Sequence, residues 1–238
     1  MNIYGFQKST LLDYPEHLAA TIFTGNCNFC CPFCHNGGLV LHCNTLSKIS
    51  ETEVIDYLKK RKNILEGVCI TGGEPTLQKD LADFIYQIKE LGYRVKLDTN
   101  GYEPYILQSL LEQNLLDYVA MDIKNSPQNY AKTAGLSTIT FENIDYSVNI
   151  LKNTAIDYEF RTTVIQEFHT LDDILKIGNW LKGDSFYYLQ SYQDSPDLIQ
   201  QGYHAHDTKT LFEFYSAVKK FLPNTFLRGI DTEQFIKE

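Results

Sequence analysis

Apolar runs of strand length recur along the chain at Ala19–Thr24, Gly67–Thr71, Arg94–Asp98, Tyr118–Ile123, Tyr158–Val164 and Phe186–Leu189. They are continuous rather than strictly alternating, as expected of strands covered on both faces. Segments of helical period separate them. Ser50 and Glu53 form a capping-box pair that opens a helix running to about Leu65. Leu81, Phe84, Ile85, Ile88 and Leu91 make one apolar stripe, which Gly92 ends as a C-terminal glycine. Pro104 stands where a first helical turn begins, ahead of Ile106, Leu107, Leu110 and Leu111. Further helices are predicted at about Phe141–Lys152, Leu171–Leu181 and Thr208–Phe221. This alternation argues for an α/β fold of parallel βαβ units. About six units predict an open, partial (β/α)6 barrel, because a closed eight-unit barrel usually needs roughly 250 residues. The functional site of such a fold belongs at the C-terminal ends of the strands.

Composition narrows the class. Of 238 residues 43 % are hydrophobic and 21 % charged, ordinary globular usage that excludes disordered and fibrous chains. No linker or repeat divides the sequence, so a single domain over residues 1–238 is expected. The formal net charge of -9 argues against a nucleic-acid coat or a basic membrane-surface protein. No run approaches the roughly 20 apolar residues of a membrane helix, and the N-terminus lacks a secretory pattern. A cytoplasmic setting without membrane or nucleic-acid partners is the expectation. There, cysteines stay reduced and clustered thiols point to metal or redox chemistry.

Four of the six cysteines crowd one segment after the first predicted strand, Cys27-Asn-Phe-Cys30-Cys31-Pro-Phe-Cys34. Two parsings compete. A doubled C-x-x-C would make a four-thiolate zinc site, although the two pairs of a zinc knuckle are normally a dozen or more residues apart. The pattern C-x-x-x-C-x-x-C instead selects Cys27, Cys31 and Cys34 as ligands to three irons of a [4Fe–4S] cube, leaving the fourth iron open. Cys30 is then surplus, a small hydrophobe like Cys43 and Cys69. His35 follows the last ligand and reads equally as a cluster neighbour or a solvent-facing loop residue. His204 and His206 read as plain loop residues rather than metal ligands.

The three-cysteine pattern resembles that of the radical S-adenosylmethionine (SAM) superfamily, and other segments extend the likeness. Gly72-Gly73-Glu74-Pro75 follows the second predicted strand and is similar to the superfamily's GGE element, whose backbone meets the methionine amino group. Glycine is needed where a backbone must approach a ligand closely. Asp98-Thr99-Asn100-Gly101 ends the third strand and resembles an element of glycyl radical enzyme activases. The likeness implies that Asp98 and Thr99 help to bind SAM, in some members through a monovalent cation. Asp122-Ile123-Lys124 ends the fourth strand and resembles an element that contacts the methionine carboxylate. Alternation puts Asp122 and Lys124 on one side. Arg161 on the fifth strand suits a carboxylate or ribose contact, or equally an internal ion pair.

The opening Tyr4–Pro15 and the run Cys34-His35-Asn36 are similar to the anaerobic ribonucleoside-triphosphate reductase activating proteins. That resemblance implies a partial (β/α)6 barrel, one cluster, and SAM bound beside Phe33, Gly72, Gly73, Glu74, Asp98, Thr99, Asn100, Asp122, Lys124 and Arg161. No catalytic side chain beyond the cluster and SAM is implied. It implies a glycyl radical made on a partner reductase, with flavodoxin or ferredoxin as electron donor. Departures are Gly37 where the family usually has Pro, Pro15-Glu16 where Pro-Gly is frequent, and Tyr188–Tyr192 without the His of pyruvate formate-lyase activases. Only 37 residues separate Cys34 from Gly72, with Cys43 and Cys69 as their only cysteines, too few for the clusters of an inserted ferredoxin-like domain, so none is expected. The polar segments Asn125–Thr138 and Gln193–Asp207 are expected to leave a groove for a glycine-bearing loop. The rival readings are a small-molecule radical enzyme such as a 7-carboxy-7-deazaguanine synthase, and a non-catalytic iron–sulfur or zinc protein.

Overall fold

The computed structural model describes residues 1–230. Its strands are β1 Ile3–Thr10, β2 Ala19–Thr24, β3 Gly67–Gly72, β4 Arg94–Thr99, β5 Tyr118–Asp122, β6 Asp157–Val164, β7 Phe186–Ser191 and β8 Thr225–Arg228. Its helices are α1 Gly37–Leu41, α2 Glu51–Arg61, α3 Leu81–Glu90, α4 Pro104–Glu112, α5 Tyr130–Thr133, α6 Phe141–Lys152, α7 Leu171–Leu181 and α8 Thr208–Lys219. The strands form one sheet in sequential order, with β1 antiparallel to β2 and every later pairing parallel. Sequential order with a crossover between neighbouring parallel strands is barrel-type winding, since a doubly wound sheet reverses its order at a switch point.

All six predicted strands are present as β2–β7. β1 and β8 were not predicted. The half-exposed β1 offers no continuous apolar run, and β8 is only four residues long. Helix α2 stops at Arg61 rather than at Leu65, where a turn bonds Ile64 and Leu65 back to the Arg61 carbonyl. Ser50 caps it by accepting from the Glu53 amide at 3.1 Å, but Glu53 does not return the bond, so the box is half made. A full capping box occurs instead at α7, between Thr170 and Asp173. Gly92 follows α3 with φ +88°, as its role at the helix end requires.

Successive strand residues alternate between two environments. Val68, Ile70, Val95, Leu97, Val119, Met121, Phe160, Tyr187 and Leu189 join the apolar core formed with the helices. The other face carries Lys96, Asp98, Tyr118, Asp122, Glu159, Arg161 and Tyr188, so the barrel interior is polar and charged. No helix among the described residues is long and apolar enough to cross a membrane.

Candidate active site

A cleft at the C-terminal ends of the strands contains about 910 Å³ of non-atom space, part of it open to solvent. Cys27, Cys31 and Cys34 line it, with Phe33, Gly72, Gly73, Glu74, Asp98, Thr99, Asn100, Asp122, Lys124 and Arg161. The three cysteines and every residue expected beside SAM are therefore brought to one place. Cys30 is not among the lining residues; its amide donates to the Ala134 carbonyl at 3.0 Å. His35 lines the cleft but turns Nε2 to the Gln193 carbonyl at 2.8 Å. His204 pairs with Glu167, and His206 bonds the His169 carbonyl.

The cysteine loop is fixed by backbone bonds to the end of β3. The Gly73 amide donates to the Thr24 carbonyl at 2.8 Å and the Glu74 amide to the Asn26 carbonyl at 2.8 Å. Asn36 Nδ2 donates to the Gly72 carbonyl at 2.9 Å. A Cβ on Gly72, whose φ is +121°, would come within 2.3 Å of the Thr24 backbone, and one on Gly73 within 2.0 Å of the Asn26 carbonyl oxygen. These glycines thus also serve the close approach of the cysteine loop to the end of β3. Within the described chain the Gly73 carbonyl takes no hydrogen bond.

Glu74 is also more structural than expected. Its carboxylate is 1 % exposed and accepts from Thr76 N at 3.1 Å, Thr76 Oγ1 at 2.6 Å, Thr99 Oγ1 at 2.8 Å and Asn100 N at 2.7 Å. Burial nonetheless raises its pKa, against the pull of those donors. Glu74 locks the end of β3 to the end of β4. Asn100 extends the lock: Nδ2 donates to Asn28 Oδ1 at 2.7 Å and lies 3.7 Å from Cys27 Sγ.

Asp98, Asp122 and Arg161 form one network. Arg161 Nε donates to Asp122 Oδ1 at 2.9 Å, and Nη1 reaches Asp98 Oδ2 at 3.4 Å. Lys124 Nζ meets Asp122 Oδ2 at 3.0 Å. Burial works against the Asp122 charge, but Arg161 and Lys124 hold its carboxyl well below the usual range. Burial likewise opposes the Lys124 charge, and Asp122 more than reverses this. The Arg161 ion pairs, one of the two readings left open by the sequence, are present. Their partners in β4 and β5 were not foreseen, because register between distant strands is not written in either strand.

His169 was also missed. Its Nδ1 accepts from the Ile165 amide at 3.1 Å, so Nε2 carries the proton and donates to the Lys124 carbonyl at 2.8 Å. This fixes the backbone of Lys124. Burial lowers the His169 pKa to about 4, so the ring is neutral.

The thiols suit a cluster. Burial pushes Cys27 up to about 12 and Cys31 up to about 11, and raises Cys34. Thiolates at such positions need cationic partners, which iron supplies. Among the described residues no three His, Cys, Asp or Glu side chains converge on a single-ion position. Three thiols that line one cleft without converging on a single-ion position fit the corners of a cube better than one tetrahedral ion.

Comparison with known proteins agrees with this geometry. Residues 21–181 match the family model described as the radical SAM superfamily. A Methanocaldococcus jannaschii protein provisionally named a glycyl-radical enzyme activating enzyme is 29 % identical over 236 residues, 96 % of each chain. A Saccharolobus islandicus protein provisionally named a GTP 3',8-cyclase is 42 % identical over 89 residues, 37 % of this chain and 28 % of that one. Among solved structures, Streptococcus suis SuiB matches with a TM-score of 0.68 at 13 % identity, over 90 % of this chain and 50 % of its own.

Proposed function

The chain belongs to the radical SAM superfamily, and we propose that it is an activase that makes a glycyl radical on a partner enzyme. It is a radical SAM enzyme, and membership implies a [4Fe–4S] cluster and SAM as cofactors. The observation that carries the activase reading is the likeness to the Methanocaldococcus jannaschii protein along 96 % of both chains, whereas the cyclase likeness covers 37 % of this one. The favoured partner is an anaerobic ribonucleoside-triphosphate reductase, with a flavodoxin or ferredoxin as electron donor, in the cytoplasm. One radical SAM domain over residues 1–238, without an inserted ferredoxin-like domain, would suffice for this.

When bound, a reduced cluster would supply the electron for reductive cleavage of SAM, and the cleaved SAM would supply the hydrogen-atom acceptor for the partner's glycine. The chain's own residues bind and orient. Cys27, Cys31 and Cys34 would hold three irons. The Gly73 carbonyl is free to accept from the methionine amino group. Lys124 has three N–H donors and gives one to Asp122, so it keeps donors for the methionine carboxylate. Asp98, Asp122 and Arg161 would form the charged wall beside SAM, while Glu74, Thr99 and Asn100 hold the strand ends that carry it. Phe33 would close the apolar side, its ring 5.7 Å from Phe168.

The test is to mix reduced protein, SAM and the anaerobic reductase of the same organism and to record the electron paramagnetic resonance spectrum. A glycyl doublet on the reductase is expected. Its absence, beside robust turnover of a small heterocycle, would transfer the assignment to a small-molecule enzyme.

A further inference from the structure

Lys96 precedes Asp98 by two residues on β4, so both side chains point into the barrel. Lys96 is 2 % exposed, and an ammonium withdrawn that far from water must be paired. It does not line the cleft, whereas Asp98 does. Its Nζ meets Asp98 Oδ1, lies 3.8 Å from Cys69 Sγ and stands 5.9 Å from the centre of the Tyr118 ring. Among the described residues Asp98 is therefore its one anionic partner.

Asp98 in turn has no other cation to itself among the described residues. Its second oxygen faces Arg161 Nη1 at 3.4 Å, and that guanidinium is shared with Asp122 at 2.9 Å and Glu159 at 3.9 Å. Lys124 is committed to Asp122 at 3.0 Å, and Arg228 to Glu159 at 3.2 Å. Burial opposes the Asp98 charge, yet Arg161 and Lys96 together bring its pKa below the usual carboxylate value.

We propose that Lys96 is a built-in counter-cation of the cleft: from one layer below, its ammonium balances Asp98, so binding in the cleft does not depend on monovalent cations. This rests on reading the cleft as the SAM site. Lys96 is a positioning residue, acting through Asp98. An ammonium tethered to the strand carries no association cost and cannot be lost to dilution, as a bound ion can.

The experiment is equilibrium dialysis of SAM against the cluster-loaded protein in sodium, potassium and tetramethylammonium buffers of equal ionic strength. Wild type should bind equally in all three. A wild type that binds only with sodium or potassium overturns the proposal and leaves the SAM site standing. No binding in any buffer removes the SAM reading, and this inference with it. Lys96→Met should bind about tenfold more weakly in tetramethylammonium, the scale of one lost charge-assisted contact, and recover with sodium or potassium. Iron content and circular dichroism should stay at wild-type values. Unchanged affinity, or a loss that neither alkali ion restores, overturns the proposal. Should Lys96→Met fail to fold, the wild-type cation series decides alone.

Discussion

At the scale of single residues, neighbours in sequence have separate duties. Cys30 and Cys31 are adjacent, yet one is held against Ala134 and the other lines the cleft. Reconstituted wild type should carry about four irons and four sulfides per chain, as one cube requires. Cys27→Ala, Cys31→Ala and Cys34→Ala should each lose the stable cluster, and Cys30→Ala should keep it. Iron and sulfide analysis decides this, and equal loss in Cys30→Ala would mean the ligand parsing is wrong. Asp122 and Lys124 differ from the cysteines, since they shape the cleft without binding iron. Lys124→Ala and Asp122→Ala should weaken SAM binding roughly ten- to a hundredfold, the worth of a charge-assisted hydrogen bond, while iron content stays near wild type. SAM titrations that match wild type for both variants would take them out of the site.

At the scale of elements, the cysteine loop is clamped from three sides. The end of β3 holds it through Gly72 and Gly73, and Gln200 N donates to the Pro32 carbonyl from the segment after β7. The segment after β5 presses from a third side. There Gly135 has φ +71°, and a Cβ on it would lie 1.9 Å from the Cys30 carbonyl oxygen. The two segments expected to frame a groove, Asn125–Thr138 and Gln193–Asp207, are thus both bonded to the cysteine loop; Asn125, Ser126, Tyr130 and Thr133 within the first are buried. Gly135→Ala must displace backbone rather than a flexible side chain, and its positive φ is unfavourable for alanine. It should reduce bound iron by half or more although it touches no ligand side chain, and iron retention at wild-type level would refute this clamp. The site was legible where local chemistry repeats a pattern, in the three cysteines, the paired glycines and the strand-end acids. Gly135 and His169 were not, because each acts on a distant segment that only folding brings to it; Lys96 was not, because a strand lysine beside an aspartate reads in sequence as a surface pair.

At the scale of the whole molecule, the six central strands were legible because burial on both faces writes a continuous apolar run, while β1 and β8 at the two ends of the sheet carry no such run. The polar interior was less legible, since an interior Lys or Glu reads in sequence as a surface residue. That interior and its rim tie stability to pH. His169 joins three parts of the rim: it takes the Ile165 amide, gives to the Lys124 carbonyl, and offers its own carbonyl to His206 at 2.9 Å. It is 1 % exposed, and burial depresses its pKa from 6.5 to about 4. Between those values the unfolded chain takes up a proton that the native ring refuses. Stability from this group is therefore whole above pH 6.5, falls as the pH drops towards 4, and changes no further below that. A depression of this size corresponds to about 3 kcal/mol at most. His169→Gln keeps an amide donor for Lys124 and a carbonyl acceptor for Ile165 but does not titrate. Urea unfolding of the iron-free chains should show wild type losing its advantage over the variant progressively from pH 6.5 to pH 4. The iron-free form is the proper comparison, because acid strips sulfide from clusters and would add a second pH dependence. A gap between wild type and variant that stays constant over this range would mean that His169 is not the titrating group, and that the acid limb of stability belongs to the carboxylates of the cleft.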